Sequence, residues 1–235
     1  MVTLQKRPGG ELSARPLHFI WIADCSGSMS GSKIQALNHA IRESIPAMRD
    51  VAAENVNANV LVRAVKFSSG AQWHIAKETP IDEFTWQDLS ADGVTDMGTA
   101  FKLVADQLRM PPMTERGLPP VLVLITDGQP TDSYKDGLSE IMKLPWGKKA
   151  VRVGIAIGDD ADTDVLQDFI GNKELPPLKA NNAQQLVQYI KWVSTAILKA
   201  ASQPPSQLTD SSSNNVPIPP TPQVTVDPNS SADVW

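Results

Sequence analysis

Apolar and polar positions along the chain follow two different periods. Short continuous apolar runs, "LHFIWIAD" (17–24), "VLVLITD" (121–127) and "AVRVGIAIGDD" (150–160), read as strands buried on both faces. Between them the apolar positions fall three or four apart. Ile34, Leu37, Ile41, Ile45 and Met48 trace one helix face, and Ser32 with Gln35 has capping-box spacing at its start. Pro46 is expected to kink or shorten that helix. Further helices fit about 98–109, 134–143, 162–170 and 183–201, the last with Leu186, Ile190, Val193 and Ile197 on one side. "NANVLVRAVKFSS" (57–69) and "AQWHIAK" (71–77) read as two strands joined by a tight turn at Gly70.

Buried strands separated by helices predict an α/β fold. The sheet is expected to be doubly wound and mostly parallel, with helices on both faces and one antiparallel edge strand from the hairpin. Such open sheets bind ligands at the carboxyl ends of their strands. Two strands here end in aspartate, at Asp24 and Asp127. The first runs into "IADCSGSMSG" (22–31), where an extended turn of period two points Asp24, Ser26 and Ser28 toward one centre. A third loop, "ADGVTDMGTA" (91–100), offers Thr95 and Asp96, with Gly93 and Gly98 as hinges. Neutral hydroxyls with few carboxylates suit a hard divalent cation, Mg²⁺ above all or Mn²⁺. Such a shell is incomplete and leaves a position for a carboxylate from a partner.

"DCSGS", "GVTDMGT" and "LITDG", in that order, resemble the three motif segments of the von Willebrand factor A domains. The resemblance covers roughly residues 15 to 200. It implies a metal-ion-dependent adhesion site made by Asp24, Ser26, Ser28, Thr95 and Asp127. In that family the hydroxyls usually touch the metal, and the aspartates often act through water. "DCSGSMSGSKIQALNHAI" and "GIAIGDDADTDVLQDF" are similar to bacterial TerY-like proteins of the tellurium-resistance class. That narrower resemblance implies an intracellular signalling scaffold associated with a protein kinase and a metal-dependent phosphatase.

Composition narrows the function classes. The formal charge of -5 and the lack of a basic block argue against a nucleic-acid or anionic-membrane surface. No stretch reaches the roughly 20 apolar residues of a membrane span, and the first residues do not read as a signal peptide. A single cysteine, Cys25, allows a reducing compartment, so a cytoplasmic location is expected. From Gln203 to Trp235 there are seven prolines, three aspartates and no lysine or arginine. That segment predicts a disordered, acidic Pro/Ser-rich tail, either a passive linker or a phosphorylated docking arm. The expected layout is an N-terminal extension (1–14), one domain (15–202) and the tail (203–235).

Competing chemistries fit less well. "GSMSGSK" lacks Walker A spacing, since three residues separate its glycines and Ile34 follows Lys33. Asp160, Asp162 and Asp164 begin like a calcium loop, but Val165 and Gly171 stand where glycine and glutamate belong, so they read as helix N-terminal charges. His18, His39 and His74 are isolated, and Cys25 reads as a small buried side chain. No general base or nucleophile stands beside the site, so no enzyme activity is expected and a metal-dependent hydrolase ranks last. The expected function is a metal-dependent protein-binding module; an accessory subunit of an ATP-driven, chelatase-like machine is the alternative.

Overall fold

The structure, a computed structural model, describes residues 14–55, 57–203, 216–222 and 235. Six strands form one sheet: β1 (Arg15–Asp24), β2 (Ala58–Ser68), β3 (Gly70–Pro80), β4 (Val121–Thr126), β5 (Val151–Ile157) and β6 (Leu178–Ala180), in the order β3-β2-β1-β4-β5-β6. All neighbours pair in parallel except β2 and β3, whose antiparallel pairing makes β3 an edge strand. Helices α1 (Ser32–Glu54), α6 (Ala183–Trp192) and α7 (Leu198–Ala201) pack together. Helices α2 (Met97–Gln107), α3 (Tyr134–Lys143), α4 (Pro145–Lys149) and α5 (Thr163–Ile170) form a second group, with Phe101 of α2 stacked on Phe169 of α5. Both central strands are buried because helices cover them: β4 is buried along its whole length, and β1 from Leu17 onward.

Two local expectations are corrected, the shortening of the first helix at Pro46 and its capping box. Helix α1 runs through Pro46 to Glu54. Its buried face continues on both sides of the proline, through Ile41, Ile45 and Met48. Each such side chain contributes about 1.5–3 kcal/mol on burial, enough to offset a proline cost of ~3 kcal/mol. The helix begins at a glycine N-cap, Gly31, with no side-chain cap, so Ser32 and Gln35 form no capping box. Part of the expected tail is described. Residues 216–222 and Trp235 lie against the domain, with Val216, Ile218 and Trp235 on the core and Trp192 Nε1 donating to the Pro220 carbonyl at 3.0 Å. Sparse apolar side chains on a proline-stiffened segment lose little entropy on docking, so low apolar content did not exclude contact here. Residues 1–13, 204–215 and 223–234 of the expected extension and tail lie outside the described residues.

Thr95 is carried by a long irregular segment between Pro80 and Met97, which needs anchoring to hold a side chain in place. Phe84, Trp86 and Leu89 from it are buried. Asn38 on α1, itself buried, binds it three times. Its amide nitrogen donates to the Leu89 carbonyl at 2.9 Å, and its amide oxygen accepts from Trp86 Nε1 at 3.0 Å and Leu89 N–H at 2.8 Å. Arg49 adds bonds to the Ile81 and Phe84 carbonyls. Asn38→Ala strands all three partners and is expected to cost about 2–3 kcal/mol in urea unfolding. A loss below the error of that measurement would show that the apolar anchors suffice.

Candidate metal centre

The strand order reverses direction between β1 and β4. The chain leaves β1 toward β2 and β3, and the later strands add on the other side of β1. A crevice at the carboxyl ends of two such strands follows from that topology. Asp24 ends β1, and Asp127 follows the last residue of β4.

The sequence-predicted residues gather at this crevice. Asp24 Oδ1 accepts from the Ser26 N–H at 2.8 Å, and its Oδ2 accepts from Thr126 Oγ1 at 2.5 Å. Ser26 Oγ and Ser28 Oγ are 3.0 Å apart, and Ser28 Oγ donates to Asp127 Oδ1 at 2.7 Å. Thr95 closes the group from the third loop. A side chain at Gly128 would fill the space between Thr95 Oγ1, 3.6 Å away, and Ser28 Oγ, 3.7 Å away. Asp24, Ser26, Thr95 and Asp127 are buried, whereas Ser28 is exposed and opens the group to solvent. The arrangement is a cup of five oxygen-bearing side chains with one wet side.

Burial pushes the Asp24 carboxyl above its ordinary pKa; the hydrogen bonds from Ser26 and Thr126 oppose this, and the charge of Asp127 adds to it. The ionised form is therefore held at a cost that a cation would offset. Cys25, next in sequence, is pushed to about 12, chiefly by burial, which leaves it an inert packed thiol. Among the described residues, no group of three or more His, Cys, Asp or Glu side chains could hold a metal ion. A site here must use hydroxyls.

Several supporting residues were not assigned from sequence. Thr126 binds Asp24, as above. Asp132 accepts from the N–H groups of Gly98 and Thr99 at 2.7 and 2.8 Å, capping α2 from another loop. The backbone of Thr95 is clasped by Thr131, whose N–H donates to the Thr95 carbonyl at 2.9 Å and whose Oγ1 accepts from the Thr95 N–H at 3.1 Å. Lys33 places its ammonium 2.6 Å from Asp127 Oδ2. These contacts join loops far apart in sequence, so no local spacing announces them. Gly93 has a φ of +82° and suits its turn, but Gly98 is no hinge. A Cβ there would sit 2.5 Å from the Ser133 carbonyl oxygen, so Gly98 permits close packing instead. Asp162 caps α5 by accepting from the Asp164 and Val165 N–H groups, in keeping with a helix-terminal role.

Residues 20–190 match the sequence model described as the von Willebrand factor type A domain. No curated protein sequence matches the chain. Solved structures share the fold at low identity. The pilus adhesin SpaC from Lactobacillus rhamnosus GG superposes with a TM-score of 0.63 at 14% identity, covering 80% of this chain and 31% of the adhesin. Proximal thread matrix protein 1 from the mussel byssus, with a zinc-occupied adhesion-site motif, gives 0.58 at 18% identity, covering 80% of this chain and 48% of that one. The ArnB paralog VWA2 from Sulfolobus acidocaldarius gives 0.56 at 16%, covering 75% and 44%. The chain thus spans less than half the length of each of these structures.

Proposed function

The chain belongs to the von Willebrand factor type A domain family, and from that premise we propose that it is a non-catalytic, metal-dependent protein-binding module. Domains of this family commonly carry a metal-ion-dependent adhesion site and mediate protein interactions. The observation that carries the proposal is the meeting of hydroxyl and carboxylate oxygens from three loops at the switch point of the sheet. Asp24, Ser26, Ser28, Thr95 and Asp127 are the proposed holders of one divalent ion, Mg²⁺ or Mn²⁺. The fit rests on the donor set: only oxygens, two of the side chains carboxylates, and a gap between Thr95 and Ser28 left free by Gly128. A bound ion would supply a positive point at the wet side, where Ser28 is exposed. A carboxylate from a partner protein completes its shell. Val94, 48% exposed beside Thr95, offers that partner an apolar contact on the rim.

The partner proposed is a protein presenting an acidic residue. We place the module in the cytoplasm as a scaffold or adaptor, in a kinase and phosphatase stress-signalling system of the tellurium-resistance kind. The likeness of "DCSGSMSGSKIQALNHAI" to TerY-like proteins supports that assignment, as does the lone, buried Cys25 thiol. The domain proper is taken as 15–202, with 203–235 as a linker or docking arm. No helix among the described residues is long and apolar enough to cross a membrane.

Affinity purification of the tagged full chain tests this. A partner recovered in Mg²⁺ is expected to fall at least about tenfold in excess EDTA, because a shared carboxylate loses its ion. Equal recovery in EDTA would exclude the bridging mechanism.

A further inference from the structure

Asp127 is fully buried, and its two oxygens have different partners. Oδ1 accepts from Ser28 Oγ at 2.7 Å, whereas Oδ2 takes the Lys33 ammonium at 2.6 Å. The Lys33 side chain is only 15% exposed, so this ion pair is largely withdrawn from water. Lys33 also sits in the first turn of α1, where the helix dipole disfavours a cation, and that turn contains no acidic residue to compensate. Its stem is confined as well. Its Nζ and Cε pass beside Gly158 after β5, 3.6 and 3.7 Å from where a Cβ on that glycine would stand, which is ordinary packing distance. A cation is therefore held at the edge of the cup against helix electrostatics and desolvation, with Asp127 as its counter-charge.

Building on the metal reading above, we propose that Lys33 is a specificity-determining residue of the metal site: a tethered counter-charge that positions Asp127, weakens the hold on the ion and strengthens the site's demand for an anionic ligand. The charges decide this. Two carboxylates and one divalent ion cancel, and a neutral site has little need of a further anion. The Lys33 ammonium leaves one positive charge in excess, which a carboxylate from a partner neutralises and a water does not. The same charge repels the incoming ion, so affinity for the metal alone is sacrificed to preference for the ternary complex. In the absence of the ion, Lys33 keeps the buried carboxylate paired.

The test compares the wild-type full chain with Lys33→Met, Lys33→Gln and Lys33→Arg. In EDTA, Lys33→Met is expected to lower Tm by roughly 3–6 °C, because Asp127 loses its counter-charge. In calorimetric titration with Mn²⁺, Lys33→Met is expected to bind roughly tenfold tighter, and saturating Mn²⁺ closes the Tm gap. Acetate, the probe for a carboxylate ligand, is expected to bind the Mn²⁺-loaded Lys33→Met chain several-fold more weakly, read by Mn²⁺-enhanced water relaxation. Lys33→Arg keeps the charge and should track the wild type in all three measurements. Lys33→Gln, which still donates to Asp127, gives the same comparison if the methionine variant does not fold. A wild type that binds Mn²⁺, with charge-removing variants that bind it no tighter, overturns the Lys33 proposal alone. A wild type that binds no Mn²⁺ overturns the metal reading and the tuning with it.

Discussion

Asp24→Asn is expected to weaken Mn²⁺ or Mg²⁺ binding at least about 100-fold, roughly 3 kcal/mol, in calorimetric titration. Asp24 is one of two carboxylates in the cup and ends the central strand β1. The amide is nearly isosteric. Its oxygen can still accept from the Ser26 N–H and its nitrogen can donate to Thr126 Oγ1, so the loop keeps its shape. What disappears is the negative charge. In EDTA the same substitution is expected to leave Tm unchanged or raise it. Burial and the neighbouring Asp127 already disfavour the ionised carboxyl, and a neutral amide escapes that cost. Loss of metal binding without loss of fold separates a functional role from a structural one. Wild-type Mn²⁺ affinity in Asp24→Asn would remove this residue from the site.

The sequence disclosed some layers of this protein and concealed others, for physical reasons. Strands β1, β4 and β5 were visible because burial on both faces demands continuous apolar runs. Helix α3 was visible with its limits, since Tyr134–Lys143 has a clear amphipathic period. Three-residue β6 is too short to carry a period, and α4 spans five residues beginning at Pro145. The passage of α1 through Pro46 could not be read locally, because the packing of Ile45 and Met48 decides it. The same division holds at the site. Asp24, Ser26 and Ser28 lie in one stretch and follow a period of two, Asp127 required the rule that strand ends carry ligands, and Thr95, in a loop before a helix, was singled out by the motif resemblance. Lys33, Thr126, Thr131 and Asp132 act only across loops, and their roles exist only once the sheet is assembled.

Asp96→Ala is expected to lower Mn²⁺ affinity about 10–100-fold although Asp96 is not among the proposed ligands. The adjacent residue, Thr95, reaches the cup from a loop with no regular structure, so its position depends on what holds the loop. Asp96 connects three segments. Its Oδ2 accepts from the Gly70 N–H at 2.7 Å, at the β2–β3 turn. Its Oδ1 accepts from Thr131 Oγ1 at 3.1 Å, and that hydroxyl in turn accepts from the Thr95 N–H. Its own N–H donates to the Ser68 carbonyl at 2.9 Å. Truncation breaks the two side-chain links and leaves the backbone one. The Thr131 hydroxyl is then free to turn, and the Thr95 hydroxyl loses its fixed place in the cup. Global stability should change little, since the three links lie at the end of the sheet and the core beneath them is untouched. Asp96→Asn retains an acceptor for one of the two links and should fall between the alanine variant and the wild type. Thr95→Ala, measured alongside, sets the full value of the threonine ligand. A large loss in Thr95→Ala with none in Asp96→Ala would mean that the Thr131 clasp alone holds the loop, and the positioning role of Asp96 would have to be abandoned.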